Sequence, residues 1–357
     1  MKKWMYKRTL LVVSLLMLTA FSTLRAETPK EERFDVKGLI FEHLGDAYTW
    51  HIVTIGTVQI QIPLLVIVRG TDGYMYAFSA AKLHGEQPYM GFYLGKEGSQ
   101  YAGKVVEKNA AGVEVRPLDF SITKNVFALF ISALLVLLVV LLTARWYKKH
   151  PMEAPGGFVG VIEVVVDFLR EDVIKPNIGG EYKRYQPYLM TVFFFILTNN
   201  LLGLVPLFPG GANVTGNIAI TFILALLTML IVNISGTKTY WKEVFWPEVP
   251  MFLKLPIPLM PVVEIFGVIS KPFSLMIRLF ANVMAGHTIM LSLVCLIFFT
   301  VSMGTAINAT MTSISVLLSV FMFFVEILVS FLQAYIFTLL SSVYIGLARV
   351  HPHKSTT

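Results

Sequence analysis

Charge is scarce in this 357-residue chain: only 14% of its residues are Asp, Glu, Lys or Arg, where a soluble domain carries nearer about a quarter. That shortage excludes an ordinary soluble globule. Cysteine is nearly absent as well. The single Cys295 rules out an internal disulfide and any CxxC metal or redox chemistry. It lies inside an apolar run, as a packing residue would. No complete GxxxxGK[ST] nucleotide loop occurs, since Gly98–Lys104 is followed by Val105 where the loop needs a Ser or Thr hydroxyl, so ATP chemistry would belong to a partner. The few histidines are not arranged as paired axial haem ligands within apolar segments. Internal repeats with matching interrupted helices, expected of many coupled transporters, are missing too.

What the chain has instead is apolar length. Hydrophobic residues make up 55% of it, mean hydropathy is +0.69, and several runs reach the roughly 20 residues of a bilayer crossing. Five blocks stand out: Val126–Tyr147, Pro187–Pro206, Asn217–Ser235, Val262–Thr300 and Thr312–Ala348. Between the first two, Gly156–Ile174 places Phe158, Val161, Ile162, Val165 and Leu169 near helical spacing with Glu163, Asp167 and Arg170 interleaved, which predicts a helix along the membrane surface. A second interfacial segment is expected around Tyr240–Leu253.

Residues 1–26 read as a secretory signal: Lys2, Lys3, Lys7 and Arg8, an apolar stretch, then Leu24-Arg25-Ala26 before an acidic segment. Residues 27–123 read as a soluble, β-rich domain, with hairpin turns at Thr71-Asp72-Gly73 and Asn109–Gly112. His43, Asp46 and His51 lack a metal-ligand spacing, so no metal or other cofactor is expected. Residues 124–357 form the membrane part. The expected fold is therefore an all-α polytopic membrane protein of about five crossings, one of them long and tilted, with interfacial helices and a small β-rich exported N-terminal domain.

The formal net charge of +7 does not imply nucleic acid, because Lys and Arg flank the apolar blocks rather than forming a stripe. Arg145, Lys148, Lys149, Lys175, Lys183 and Arg184 follow the first block, Lys238, Lys242 and Lys254 follow the third, and Arg349 and Lys354 end the chain. The loops Leu207–Gly216 and Ser302–Met311 contain neither. With the first domain exported, five crossings put every basic loop and the C-terminus in the cytoplasm.

The fourth block is too long to stand upright: nearly 40 residues make a helix of roughly 58 Å against a hydrocarbon core of about 30 Å. It also carries Glu264, Lys271, Arg278 and His287, with Glu326 in the fifth block. Each such charge costs about 2.5–3.5 kcal/mol at the bilayer centre, so these residues face protein or water and mark an ion path. Glu264, Lys271 and Arg278 recur every seven residues on one helix face, with Asn282 one turn beyond Arg278 and His287 half a turn away. Glu326 and Gln333 share a face of the last block. Arg278 is the most telling, because a guanidinium cannot shed its proton to escape the cost.

The segments LMPVVEIFGVISKPFSLMIRLFANVMAGH at Leu259–His287 and FFVEILVSFLQAYIFTLLSSVYIG at Phe323–Gly346 closely resemble the subunit a family of F-type ATP synthases, with TNNLLGLVP at Thr198–Pro206 and ANVTGN at Ala212–Asn217 in weaker support. The resemblance runs from about Phe127 to Ala348 and leaves out Glu27–Asp119, whose position alone suggests stiffening or gating of an outer mouth. It implies a non-catalytic proton channel subunit of a bacterial inner membrane. Its partners would be the c-ring of the rotor, b-type peripheral stalk subunits and the lipid bilayer, with H⁺ or Na⁺ left open. Arg278 matches the family's essential arginine, facing the ring carboxylate and separating two aqueous half-channels. His287 and Glu326 match relay positions of the outer half-channel, Asn282 and Gln333 polar residues beside them, and Glu264 an acid of the inner half-channel, with Lys271 on the same face. The acid and the histidine are exchanged relative to many bacterial members, as in the mitochondrial form.

Overall fold

The computed structural model describes residues 45–55, 58–83, 88–96, 99–109, 112–205, 210–246 and 259–349. All belong to one compact unit, Lys37–Thr357. The expected signal peptide, His43, the second half of the Tyr240–Leu253 segment and the prolines 256 and 258 lie outside these residues.

The N-terminal domain is β-rich, as its alternating pattern requires. Its strands are β1 (Thr49–Ile55), β2 (Val58–Pro63), β3 (Leu65–Arg69), β4 (Met75–Ser79), β5 (Phe92–Leu94), β6 (Val105–Lys108), β7 (Glu114–Val115) and β8 (Leu118–Asp119). They form three antiparallel sheets ordered β1-β2, β4-β3-β8 and β5-β6-β7. Both expected hairpins are present. Gly73 and Gly112 take the positive φ their turns need (84° and 76°), while Asp72 and Asn109 accept from the Tyr74 and Val113 amides at 3.0 Å. A third hairpin, β1/β2, was not foreseen. Tyr48, Val66, Val68, Phe78, Phe92 and Val105 form the core. The Tyr48 hydroxyl donates to the Asp119 carboxylate. Burial, and then that bond, push the phenol well above its ordinary pKa.

The first membrane helix, α1 (Lys124–Lys149), has its N-terminus capped by the preceding domain. Thr123 makes no side-chain cap bond. Instead Asp46 Oδ1 accepts from the Asn125 amide at 3.1 Å and the Ala47 carbonyl from the Lys124 amide at 2.8 Å, which supplies two of the partners a helix start leaves unmet. Along α1, Phe130, Leu134, Leu137, Leu138 and Leu141 are all more than half exposed. Lipid is the solvent that suits such a surface.

A helix α2 (Gly157–Phe168) continues through a wider π turn (Leu169–Ile174) and one α turn, α3 (Lys175–Ile178), to Gly179, whose φ of 75° breaks the run. Beyond it lie α4 (Tyr182–Leu204), α5 (Ile218–Ser235), the short α6 (Lys238–Phe245), α7 (Leu259–Phe299) and α8 (Thr305–Ala348). Five helical segments are long and apolar enough to cross a membrane: Lys124–Lys149, Gly157–Leu204, Ile218–Ser235, Met260–Met303 and Thr305–Ala348. On α2, Phe158 and Val161 of the expected stripe are exposed, together with Val164, whereas Ile162 and Val165 are half-buried and Leu169 is buried in the core.

One expectation is corrected here. Two helices, not one, far exceed the bilayer: α7 has 41 residues and α8 has 44, each over about 60 Å long. The polar stretch Thr305–Met311 is helical rather than a loop, and hydroxyls along it turn back onto the helix's own carbonyls. Thr310 and Ser313 donate to the Ala306 and Ala309 carbonyls at 3.0 Å. Only Thr300–Gly304 turns the chain. Pro272 sits within α7 without ending it.

These helices pack around Leu169, Phe193, Ile196, Leu275, Leu279 and Phe337. At the opposite end from the Thr300–Gly304 turn, the π turn frees the Val173 carbonyl, which accepts from Asn177 Nδ2 at 2.6 Å and Ser342 Oγ at 3.5 Å. There α8 presses so closely on α3 that a Cβ on Gly346 would collide with the Asn177 carbonyl oxygen. Gly346→Ala is therefore expected to lower the thermal midpoint of the detergent-extracted protein, through an overpacking cost of about 1–3 kcal/mol. Gly180→Ala, whose Cβ meets nothing within 4 Å, should leave it unchanged.

Candidate functional site

The seven-residue spacing of Glu264, Lys271 and Arg278 puts them on one face of α7, and the structure gives each a different setting. Lys271 Nζ lies 5.7 Å from the centre of the Tyr344 ring on α8, a cation–π distance. It lines a small cavity of about 20 Å³ with Thr228, Asn233, Tyr240, Leu275 and Tyr344. The Tyr240 hydroxyl donates to Asn233 Oδ1 at 3.2 Å. Burial raises its phenol pKa, and the Glu264 carboxylate adds to the rise. Glu264 thus belongs to this same polar end.

Arg278 stands apart. It is half-buried and, among the described residues, makes no hydrogen bond or ion pair. Besides Lys271 and Asn282, its face of α7 carries small residues: Ser274 and Ala281 one turn away and Ala285 two turns away are exposed, and a Cβ on Gly267, three turns away, would meet nothing within 4 Å. Such a surface admits another helix closely.

Beyond Arg278 a larger cavity of about 290 Å³ opens between α4, α7 and α8, lined by Asn200, Asn282, His287, Glu326, Ser330 and Gln333 among others. At about 30 Å³ per water it has room for several molecules. Glu326 is 7% exposed, and its Oε2 has no hydrogen-bond partner. Its carboxylate rests against Gly286, where a Cβ would come within 2.5 Å of Oε1, so a side chain there would push the carboxylate aside. His287, the next residue, turns its ring toward α4, with Nε2 at 3.5 Å from where a Gly203 Cβ would stand. The two groups share the cavity, each approaching from a different wall.

The two cavities do not merge. Met276 and Leu279 of α7, Ala334 and Phe337 of α8, and Phe193 and Ile196 of α4 form an apolar layer between them. Along α7, Lys271 and His287 lie about 10 Å and 13 Å to either side of Arg278 at 1.5 Å per residue.

Four residues around the larger cavity were not singled out in the sequence. The Thr215 hydroxyl donates to Asn200 Oδ1 at 2.6 Å, and Asn200 Nδ2 donates to the Ser330 carbonyl at 3.4 Å. Asn213 accepts from the Gly216 amide at 2.9 Å and reaches Met284 Sδ at 3.4 Å. All four are buried. Ser330 was within reach of the pattern, since Glu326, Ser330 and Gln333 fall at i, i+4 and i+7 on one face.

Residues 126–346 match the family profile described as ATP synthase A chain. Residues 39–120 match a second one, described as a domain of unknown function, DUF8433. The chain is 42% identical over 245 residues to ATP synthase subunit a of Chloroherpeton thalassium, covering 67% of this chain and 70% of that one. It is 42% identical to the subunit a of Chlorobium phaeobacteroides, over 67% and 68% of the two chains. It is also 36% identical over 307 residues to ATP synthase subunit a 2 of Prosthecochloris aestuarii, covering 81% and 92%. That coverage reaches beyond the membrane part into the N-terminal domain.

Proposed function

This chain belongs to the ATP synthase A chain family, and we propose that it is the proton-translocating stator subunit of the membrane sector of an F-type ATP synthase, without ATP chemistry of its own. The observation that carries the proposal is Arg278, half-buried and without a hydrogen-bond or ion-pair partner among the described residues, between two polar cavities parted by an apolar layer. A guanidinium remains charged, and an unpaired charge in an apolar setting is costly. Its counter-charge therefore comes from another chain, the carboxylate of the c-ring. A fixed positive charge lowers that acid's pKa and makes it release its proton. It also repels protons, so the two cavities exchange them only by way of the ring.

The outer half-channel holds His287, Glu326, Asn282 and Gln333, where an acid and an imidazole hand on protons. Glu264 and Lys271 mark the inner one. Each charge moved through 100 mV supplies about 2.3 kcal/mol, collected by the rotor as torque. In this reading residues 1–26 are a removed signal peptide, the N-terminal domain lies in the periplasm, and the basic loops and C-terminus face the cytoplasm. A b-type peripheral stalk holds the subunit still.

The small face around Arg278 is where the ring docks. Ala281→Trp is expected to leave the chain inserted but to reduce ATP-driven proton pumping in inverted vesicles to background, because the ring cannot close on the arginine. Normal pumping in that variant would move the ring to another face.

A further inference from the structure

The N-terminal domain takes no part in this chemistry, yet it grips one segment of the membrane part. Trp50 of β1 is 3% exposed. It packs with Ala128 of α1 and with Ala212 and Val214 of the loop before α5, flanked by Ile62, Phe127 and Ile131. Its ring meets Phe127 edge-on, centroids 5.9 Å apart at 83°.

The loop has two sides. Ala212 and Val214 face Trp50, whereas Asn213 reaches Met284 of α7 and Thr215 binds Asn200 beside the outer cavity. The chain turns between them: the Asn217 amide donates to the Val214 carbonyl at 3.1 Å, closing a turn that carries Thr215 to the cavity side. All four residues are buried, which is unusual for a connecting segment. The Ala212 carbonyl also lies 3.5 Å from where a Gly203 Cβ would stand, the same spot that His287 Nε2 faces. The domain is itself tethered beside this contact, through the Asp46 and Ala47 caps of α1 and the Ile122 amide, which donates to the Leu65 carbonyl at 2.9 Å.

We propose that the N-terminal domain is a clamp on this loop, with Trp50 as the positioning residue: it holds Asn213 and Thr215 against the cavity wall and so fixes the outer water path. The geometric part stands on the packing alone; the effect on proton flow rests on the channel reading above.

The test uses the assembled complex in its own membranes. Asn213→Cys is labelled from the outside with a membrane-impermeant maleimide in three backgrounds: native Trp50, Trp50→Phe and Trp50→Ala. The parent chain, whose Cys295 is buried, gives the blank. Trp50→Ala is expected to speed labelling at least about tenfold, equivalent to about 1.4 kcal/mol of lost cover. Trp50→Phe keeps a ring against Phe127 and should stay close to the native rate. Without the cysteine, pumping should fall in Trp50→Ala and return in Trp50→Phe. If Trp50→Ala does not assemble, Val214→Ala removes the other half of the contact and should accelerate labelling in the same sense. Unchanged labelling overturns the clamp. Faster labelling with unchanged pumping overturns its hold on the proton path. Failure of the channel reading itself would appear separately, as pumping that survives Arg278→Ala, and would leave the labelling result standing.

Discussion

Arg278→Ala is expected to give a complex that assembles and hydrolyses ATP but pumps no protons in inverted vesicles. Two effects act together. A unit charge about 4 Å from a ring carboxylate is worth about 4 kcal/mol at an effective dielectric of about 20, or about three pKa units. Without it the acid keeps its proton as it passes the stator. The barrier between the cavities also loses its positive charge, leaving only the apolar layer of Leu279, Phe337 and their neighbours. Because Arg278 makes no hydrogen bond or ion pair among the described residues, the alanine removes no such support, and assembly should persist. Arg278→Lys keeps the charge but can lose its proton in an apolar setting, so pumping should be weak rather than absent. Normal pumping by an intact Arg278→Ala complex would overturn the mechanism.

Glu326→Gln is expected to cut proton flux by about a hundredfold, within the range general acid–base groups supply. The substitution preserves shape. The unbonded Oε2 means that the amide breaks no hydrogen bond there, and the cavity of about 290 Å³ stays open to water. The variant therefore separates two ways of moving a proton. If water alone carries it, flux survives; if the carboxyl must take it and give it up, flux falls. The assay is ATP-driven acidification of inverted vesicles, normalised to assembled complex. Undiminished flux would remove Glu326 from the relay.

The membrane part was legible because its signals are local. Arg278 and Glu326 stand out in apolar runs from sequence alone, and heptad spacing gives their faces. The hairpins at Gly73 and Gly112 announce themselves by turn chemistry. What could not be read depends on distant partners. Thr305–Met311 looks like a loop because hydroxyl-rich sequence commonly is one, yet it forms the first turns of α8, with Thr310 and Ser313 bonded back to the helix's own carbonyls. Asn200 and Thr215 are 15 positions apart and meet only once α4 and the loop before α5 are folded together. Trp50 reads as an ordinary strand residue, since its neighbours Ala212 and Val214 lie far along the chain. The β1/β2 hairpin was hidden because Gly56-Thr57 is not a strong turn pair.

The last residues of α8 are tied from several directions. Arg349 pairs with Glu181 and donates to the Ser235 carbonyl at 3.2 Å, the Thr237 amide donates to the Ala348 carbonyl at 3.0 Å, and Gly346 lies against Asn177. The far end of the α7–α8 pair is a turn of a few residues. In engineering language this is a beam built in at one end and light at the other. On the function proposed here, a rotor driven past α7 would push back sideways on the beam, and stiffness is greatest near the root. In that reading the mount that keeps the arginine from yielding under load is assembled from carbonyls, one glycine and one ion pair, and it borders the smaller cavity, whose wall includes Asn233, Tyr344 and Leu347.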